Sequence, residues 1–236
     1  MDSMCVQIKQ GRASKKSLRC HLARFAGLLI WFAFAVGCAV VEPPTSATET
    51  GQAPVTNEKT VTRLEAGRSG FIITETLDFP APWRDDFERA VVLMQKNQEE
   101  QAIPVLEEIV RQSPGVTAPY INLAMAHRHA DEFDRAEELL HVALELVPDH
   151  PVANNEYGLL LRQTGRFKEA RDIYESTLRL FPEYLPVRRN LGILCELYLD
   201  DTACAVEQYT FYNNAYPQDK TVALWIADLN LRLGRN

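Results

Sequence analysis

The sequence predicts an all-α solenoid of about four antiparallel helix pairs, stacked side by side and closed by a C-terminal capping helix. Three observations predict it. Prolines recur at Pro114, Pro148, Pro182 and Pro217, at steps of 34, 34 and 35 residues. Twelve residues before each stands an alanine: Ala102, Ala136, Ala170 and Ala205. About 24 residues before each stands a second small residue: Ala90, Ala124, Gly158 or Gly192. A fixed period of this length marks stacked supersecondary units, none of which can bury its apolar face alone. Proline disfavours continuation of the helix before it, so each unit ends where its proline stands.

The first unit, 83–116, has Ala90, Leu93, Ala102, Leu106 and Pro114 in phase. It departs from the pattern at Arg89, where a large apolar residue is expected, and at Pro104, inside its second helix. Proline past the first helical turn costs about 3 kcal/mol, so a kink is expected there. The second unit, 117–150, places Ile121, Ala124, Met125 and Arg128 at i, i+3, i+4 and i+7, as helical periodicity requires. In its following helix Glu137, Glu138 and Glu145 fall on the other face. The third, 151–184, supplies Tyr157, Gly158, Leu161, Phe167, Ala170, Tyr174, Thr177 and Pro182, with Gly165 at its inter-helix turn. The fourth, 185–219, supplies Leu191, Gly192, Cys195, Ala205, Tyr209 and Pro217, with a loop one residue longer. Residues 220–234, including TVALWIADLNLRL, read as one more helix whose role is the capping face that a terminal solenoid unit needs.

These units resemble the tetratricopeptide repeat across residues 83–236. The resemblance implies a right-handed superhelix of antiparallel helix pairs. Small residues at the eighth and twentieth positions let the paired helices approach. Large ones at the seventh, eleventh, seventeenth and twenty-fourth fill the space between them. It also implies a concave inner face, lined here by Asn122, Met125, Arg128 and His129, then Asn155, Glu156, Leu159, Arg162 and Gln163, then Arg189, Asn190 and Ile193. Arg128 and Arg162 occupy the same place one repeat apart and are expected to stack along the groove, with Arg189 nearby. Asparagine amides hydrogen-bond a peptide backbone, and arginine grips a carboxylate in two places. Such a ribbon suits an extended, acidic or C-terminal peptide. The other reading of the same residues is that they pair with neighbouring glutamates and bind nothing. The family's chaperone-tail clamp uses lysine and arginine at positions not matched here, so that specificity is not implied.

The N-terminus reads as an address. Residues 1–37 hold six Lys/Arg and one acid, and residues 25–36, FAGLLIWFAFAV, are apolar. That run fits a signal-peptide core and is short for a spanning helix, which needs about 20 residues. Ala35-Val36-Gly37-Cys38 resembles the lipobox of bacterial lipoprotein precursors. The resemblance implies cleavage of 1–37 and acylation of Cys38, with Ala39 leaning towards the outer membrane. Ala35 departs from the commonest residue, leucine. Residues 38–69 follow as the lipidated cysteine and a tether, rich in Pro, Thr, Glu and Gly and too poor in large apolar residues to order itself. Residues 70–82 form a lead-in arm. Within it Phe71-Ile72-Ile73-Thr74-Glu75-Thr76-Leu77 has strand-like composition. No second strand is evident, so it is expected either to lie extended, on the first repeat by preference, or to wait for a partner.

The chain beyond residue 37 carries 19 basic and 31 acidic residues, a balance that repels nucleic acid. Five cysteines are too few for a disulfide scaffold. Cys195 and Cys204 flank one short turn. In an oxidising compartment they form a disulfide if their Cα atoms come within about 7 Å; otherwise they are two small buried apolar residues. No metal, cofactor or catalytic constellation is implied. His127 and His129 lie two apart on nearly opposite sides of a helix, and His127 reads as a core histidine. The adjacent pairs Glu99-Glu100, Glu107-Glu108 and Glu137-Glu138 read as solvated surface. The expected function is a membrane-anchored periplasmic scaffold that binds a protein or peptide and assists an envelope complex such as a pilus, secretion or TonB-type system. The competing readings are a small-ligand binder or enzyme accessory that uses the same groove, and a cytosolic adaptor.

Overall fold

The computed structural model describes residues 60–63, 70–74 and 81–234, all within one compact unit. The expected signal peptide, Cys38 and the tether up to residue 59 lie outside the described residues. Two strands come first, β1 (Thr60–Arg63) and β2 (Phe71–Thr74). Eight helices then pair in order: α1 (Ala81–Gln95) with α2 (Glu99–Gln112), α3 (Thr117–His129) with α4 (Phe133–Leu146), α5 (Pro151–Gln163) with α6 (Phe167–Leu180), and α7 (Leu185–Leu197) with α8 (Thr202–Ala215). A last helix, α9 (Lys220–Arg232), packs on α8. None of the helices among the described residues is long and apolar enough to cross a membrane.

The phasing residues do what their chemistry requires. Each of Pro114, Pro148, Pro182 and Pro217 sits two residues beyond the end of a second helix. Ala90, Ala102, Ala124, Ala136, Ala170 and Ala205 are all at most 1% exposed, so they mark the lines along which helices touch. Successive first helices also touch one another, α1 with α3, α3 with α5 and α5 with α7. They therefore form one layer, and the second helices form the other.

The inter-helix turns repeat with the same period. Asn97, Asp131, Gly165 and Asp200 have φ of 54°, 61°, 78° and 52°. Only glycine takes this left-handed conformation freely, and asparagine and aspartate tolerate it best among the rest. Gly165 is visible in the sequence as a turn residue; its three equivalents are the same device in different chemistry. Pro104 lies within α2, which runs unbroken from Glu99 to Gln112.

Expectations change at the N-terminal end. β1 falls inside the stretch expected to be tether, and it is the missing partner of β2: the two pair antiparallel with Arg63 opposite Phe71 and Val61 opposite Ile73. A seven-residue connection hid the pairing, since no short turn motif announces it. The hairpin also does not lie as a bare strand on the first repeat. Phe71 packs edge-on against Phe181 and Tyr184, where the third unit meets the fourth. At the other end α9 is the expected terminal helix: it buries Val222 and Leu229 and leaves Leu224 and Leu231 71% and 66% exposed on its outer face. The lead-in arm also ends earlier than expected, because α1 begins at Ala81.

Candidate functional site

The layer of first helices carries a polar ladder. His129 Nδ1 lies 2.9 Å from Glu99 Oε1. Arg128 Nη2 lies 3.3 Å from His129 Nε2 and donates to Glu156 Oε2 at 3.1 Å. Asn155 donates to the other Glu156 oxygen at 3.2 Å and accepts from Asn190 at 2.9 Å. The sequence-predicted groove residues His129, Arg128, Asn155 and Asn190 are thus brought together, joined across α2, α3, α5 and α7.

The ladder alters the expected role of several of them. Arg128 is not a free ribbon charge: its side chain is 10% exposed, Glu156 is 5% exposed, and Gln163 takes a second hydrogen bond from Arg128 at 3.1 Å. At this position the pairing reading wins. Asn122 is fully buried and donates to the Ala118 carbonyl at 3.0 Å, and Met125 is core, so neither lines an open surface. Stacking of Arg128 on Arg162 gives way to separate partners. Arg162 sits over the Tyr198 ring at 5.9 Å, and Arg189 over Trp225 at 5.8 Å.

Arg162 is the exception, and the repeat explains it. Glu156 receives Arg128 from the unit before. The equivalent position one unit on is Asn190, which offers Arg162 an amide where Arg128 has a carboxylate. Accordingly Arg162 Nη1 is buried without a hydrogen-bond partner, as is Arg128 Nε.

A third unpaired group comes from the other layer. Tyr174 on α6 is 0% exposed, and its ring lies so close to α5 that a Cβ on Gly158 would fall 2.3 Å from Cε1. The missing side chain lets the ring cross towards the first-helix layer. Its hydroxyl has no hydrogen-bond partner. Burial pushes that phenol well above its ordinary range, while the nearby Arg162 and Arg128 charges pull it down and Glu156 pushes it up. The same device recurs at Gly192 and Tyr209, but there the hydroxyl donates to Glu196 at 2.9 Å. Sequence reasoning took both tyrosines as filling between helices. The signal available was a hydroxyl-bearing ring opposite a glycine in two successive units.

The remaining candidates are structural. Cys195 and Cys204 are joined by a disulfide with Cα atoms 6.0 Å apart. Asp201 lies beside them, but its oxygens accept from the Cys204 N–H and from Arg171, both at 3.0 Å. The Cys204 N–H, against the cost of burial and with help from Arg171, holds that carboxyl below its usual range. With its sulfurs bonded and its carboxylate engaged, the trio is a staple at the start of α8. His127 pairs with Glu132 at 2.5 Å, the structural role expected of it. Glu99 and Glu137 are not simply solvated: Glu99 joins the ladder, and Glu137 takes Arg166 at 2.6 Å and Tyr157 at 3.0 Å.

Residues 115–183 match the tetratricopeptide repeat family. A stretch of 65 residues is 35% identical to the peroxisomal targeting signal receptor of Candida albicans (strain SC5314); it covers 28% of this chain and 11% of the receptor. The fold is similar to solved structures at low identity. PilF of Pseudomonas aeruginosa matches with a TM-score of 0.58 and 24% identity, over 64% of this chain and 68% of that one. PilW, a type IV pilus biogenesis factor, matches with 0.58 and 20%, over 66% and 72%. MamA from Desulfovibrio magneticus RS-1 matches with 0.56 and 16%, over 66% and 88%. The paired helices of this chain build a solenoid of the tetratricopeptide type.

Proposed function

We propose that the chain docks an extended segment of a protein partner on its layer of first helices, by gripping a carboxylate between Arg162 and Tyr174. The observation that carries this reading is that three buried hydrogen-bond donors around this ladder lack an acceptor: Arg162 Nη1, Arg128 Nε and the Tyr174 hydroxyl. Leaving such a group unsatisfied costs about 1–3 kcal/mol each. A carboxylate would satisfy them, and a charged acceptor makes the stronger bond. The partner supplies a C-terminal or side-chain carboxylate on an otherwise extended chain.

The place of action we propose is the cell envelope, with the chain held through acyl groups on Cys38 at the periplasmic face of the outer membrane. The Ala35–Cys38 motif supports this, and the Cys195–Cys204 disulfide fits an oxidising compartment. The likeness to PilF and PilW supports assembly of an envelope machine as the task, by analogy of fold.

The test uses the full chain and a panel of acidic octapeptides, each with a free or an amidated C-terminus, read by fluorescence anisotropy. Wild type binds the free carboxylates more tightly. Arg162→Gln and Tyr174→Phe each weaken that binding by about tenfold, the loss of one charge-assisted or buried hydrogen bond. Asn190→Glu supplies the carboxylate that Arg162 lacks and abolishes the preference. If all three variants bind as wild type does, the site is wrong. Arg128 is a poor probe, because removing one partner of its buried pair with Glu156 costs about 3–5 kcal/mol of stability. For location, an intact mass from the membrane fraction should show a chain starting at acylated Cys38; one starting at Met1 removes the anchor.

A further inference from the structure

Phe71 ties the N-terminal hairpin to the far half of the solenoid. Its ring stands edge-on to Phe181, with centroids 5.4 Å apart at 62°, and to Tyr184, at 5.1 Å and 87°. The slot walls belong to the joint between α6 and α7: Phe181 caps the end of α6 and Tyr184 the start of α7, and the Tyr184 N–H donates to the Phe181 carbonyl at 3.0 Å. Both walls of the slot therefore belong to the helical stack, and the hairpin supplies only the occupant.

The hairpin, by contrast, is weak. It consists of two four-residue strands, and an isolated pair of that size is marginal in water. Its alternation puts Val61, Phe71 and Ile73 on the inward face and leaves Thr60, Thr62 and Ile72 outward and exposed. Of the inward residues, Val61 and Phe71 pack against the core. Phe71 is the only aromatic ring in either strand.

Phe71 also fits the slot incompletely. Tyr184 is 8% exposed with Phe71 against its ring, and its hydroxyl has no hydrogen-bond partner. The internal occupant shields the phenol and offers it no acceptor. An occupant that brings an aromatic ring with a carbonyl or carboxylate beside it would satisfy both walls, where Phe71 satisfies only one of the two requirements.

We infer that the Phe181–Tyr184 slot is a receptor for one aromatic side chain on an extended strand of a protein partner, and that Phe71 is its built-in, displaceable occupant. A partner strand with an aromatic residue competes with the hairpin for the slot. The hairpin, being tethered, competes at a high effective concentration and so sets a threshold for binding. The test of this site leaves Arg162 and Tyr174 untouched.

The probe is a synthetic fluorescent peptide with the sequence of residues 60–76, added in trans to the full chain and followed by anisotropy. Removing the internal competitor with Phe71→Ala should tighten the apparent affinity by about tenfold or more over wild type, since the empty slot is then the dominant state. The peptide carrying alanine in place of its phenylalanine should not bind Phe71→Ala. Adding Phe181→Ala to Phe71→Ala should abolish binding with helical circular dichroism unchanged. If that double variant unfolds, the alanine peptide alone decides. Equal binding of the probe to wild type and Phe71→Ala, no binding to either, or equal binding of the alanine peptide overturns the inference.

Discussion

Gly158→Ala tests the close approach of the Tyr174 ring to α5. In an open helix the change would stabilise by about 1 kcal/mol, because alanine is the better helix former. Here the new Cβ would lie 2.3 Å from Cε1, 2.6 Å from Cζ and 2.8 Å from Cδ1 of Tyr174. Carbon atoms prefer about 3.5–4.0 Å, so either the ring or α5 must move by about 1 Å. Tyr174 is 0% exposed, so its ring cannot swing out to solvent without disturbing its neighbours. Overpacking a core typically costs about 1–3 kcal/mol, and three ring atoms in conflict place this case at about 3. After the gain in helix propensity, the net loss is about 2 kcal/mol, or about 4–8 °C in Tm for a chain of this size. Thermal and urea unfolding by far-UV circular dichroism measure it. Gly158→Ala combined with Tyr174→Leu relieves the conflict, so the double variant should lose less than the sum of the singles. A Tm that is unchanged or higher for Gly158→Ala, or strict additivity in the pair, would refute the reasoning.

Two further outcomes follow from single residues. Replacing both Cys195 and Cys204 by serine, a bridge of sequence separation 9, should lower stability by about 2–3 kcal/mol, seen as a lower urea midpoint that dithiothreitol no longer shifts. His150 caps α5 by accepting from the Ala153 N–H at 3.2 Å, and burial depresses its pKa from 6.5 to about 4. Above pH 6.5 the ring is neutral in both states and its contribution is complete. Below that the unfolded chain takes the proton first, so stability falls by about 1.4 kcal/mol per pH unit until about pH 4. His150→Asn keeps a capping acceptor without a titrating group, and its urea midpoints should flatten over that window. A slope identical to wild type would show that His150 is not its source.

The fold was legible because its constraints are local and periodic. Pro182 stops a helix and Ala170 thins one wherever they stand, so four copies at one spacing identify the units without any partner being known. The left-handed turns were only partly legible: Gly165 is a familiar signal, whereas Asn97, Asp131 and Asp200 reach the same φ by tolerance. The site was harder to read. Repeat position picked out Arg128 and Arg162 alike, but position says nothing about what each meets. That depends on a residue in the next unit, Glu156 for one and Asn190 for the other. The hairpin was missed for a similar reason: β1 pairs across a connection with no turn motif, and Phe71 finds its slot more than a hundred residues along the chain.

The same comparison explains why a solenoid of near-identical units needs polar residues between them. Interchangeable prolines and alanines fix the spacing of helices but not which unit follows which. The ion pairs and hydrogen bonds between units do. Glu99 meets His129, Arg128 meets Glu156, Glu137 meets Arg166, Arg171 meets Asp201 and Glu196 meets Arg232, each pair about one period apart. Buried or half-buried pairs of this kind add little net stability, because desolvation offsets most of the attraction. A stack displaced by one unit, however, would leave charges without partners, which costs far more than the correct pairs contribute. Register is what they secure. Arg162 falls outside this scheme: the carboxylate one period on, Glu196, already holds Tyr209 and Arg232, and Asn190 stands where its own partner would be. Besides its place over the Tyr198 ring, the use proposed above for that charge is to hold a ligand carboxylate.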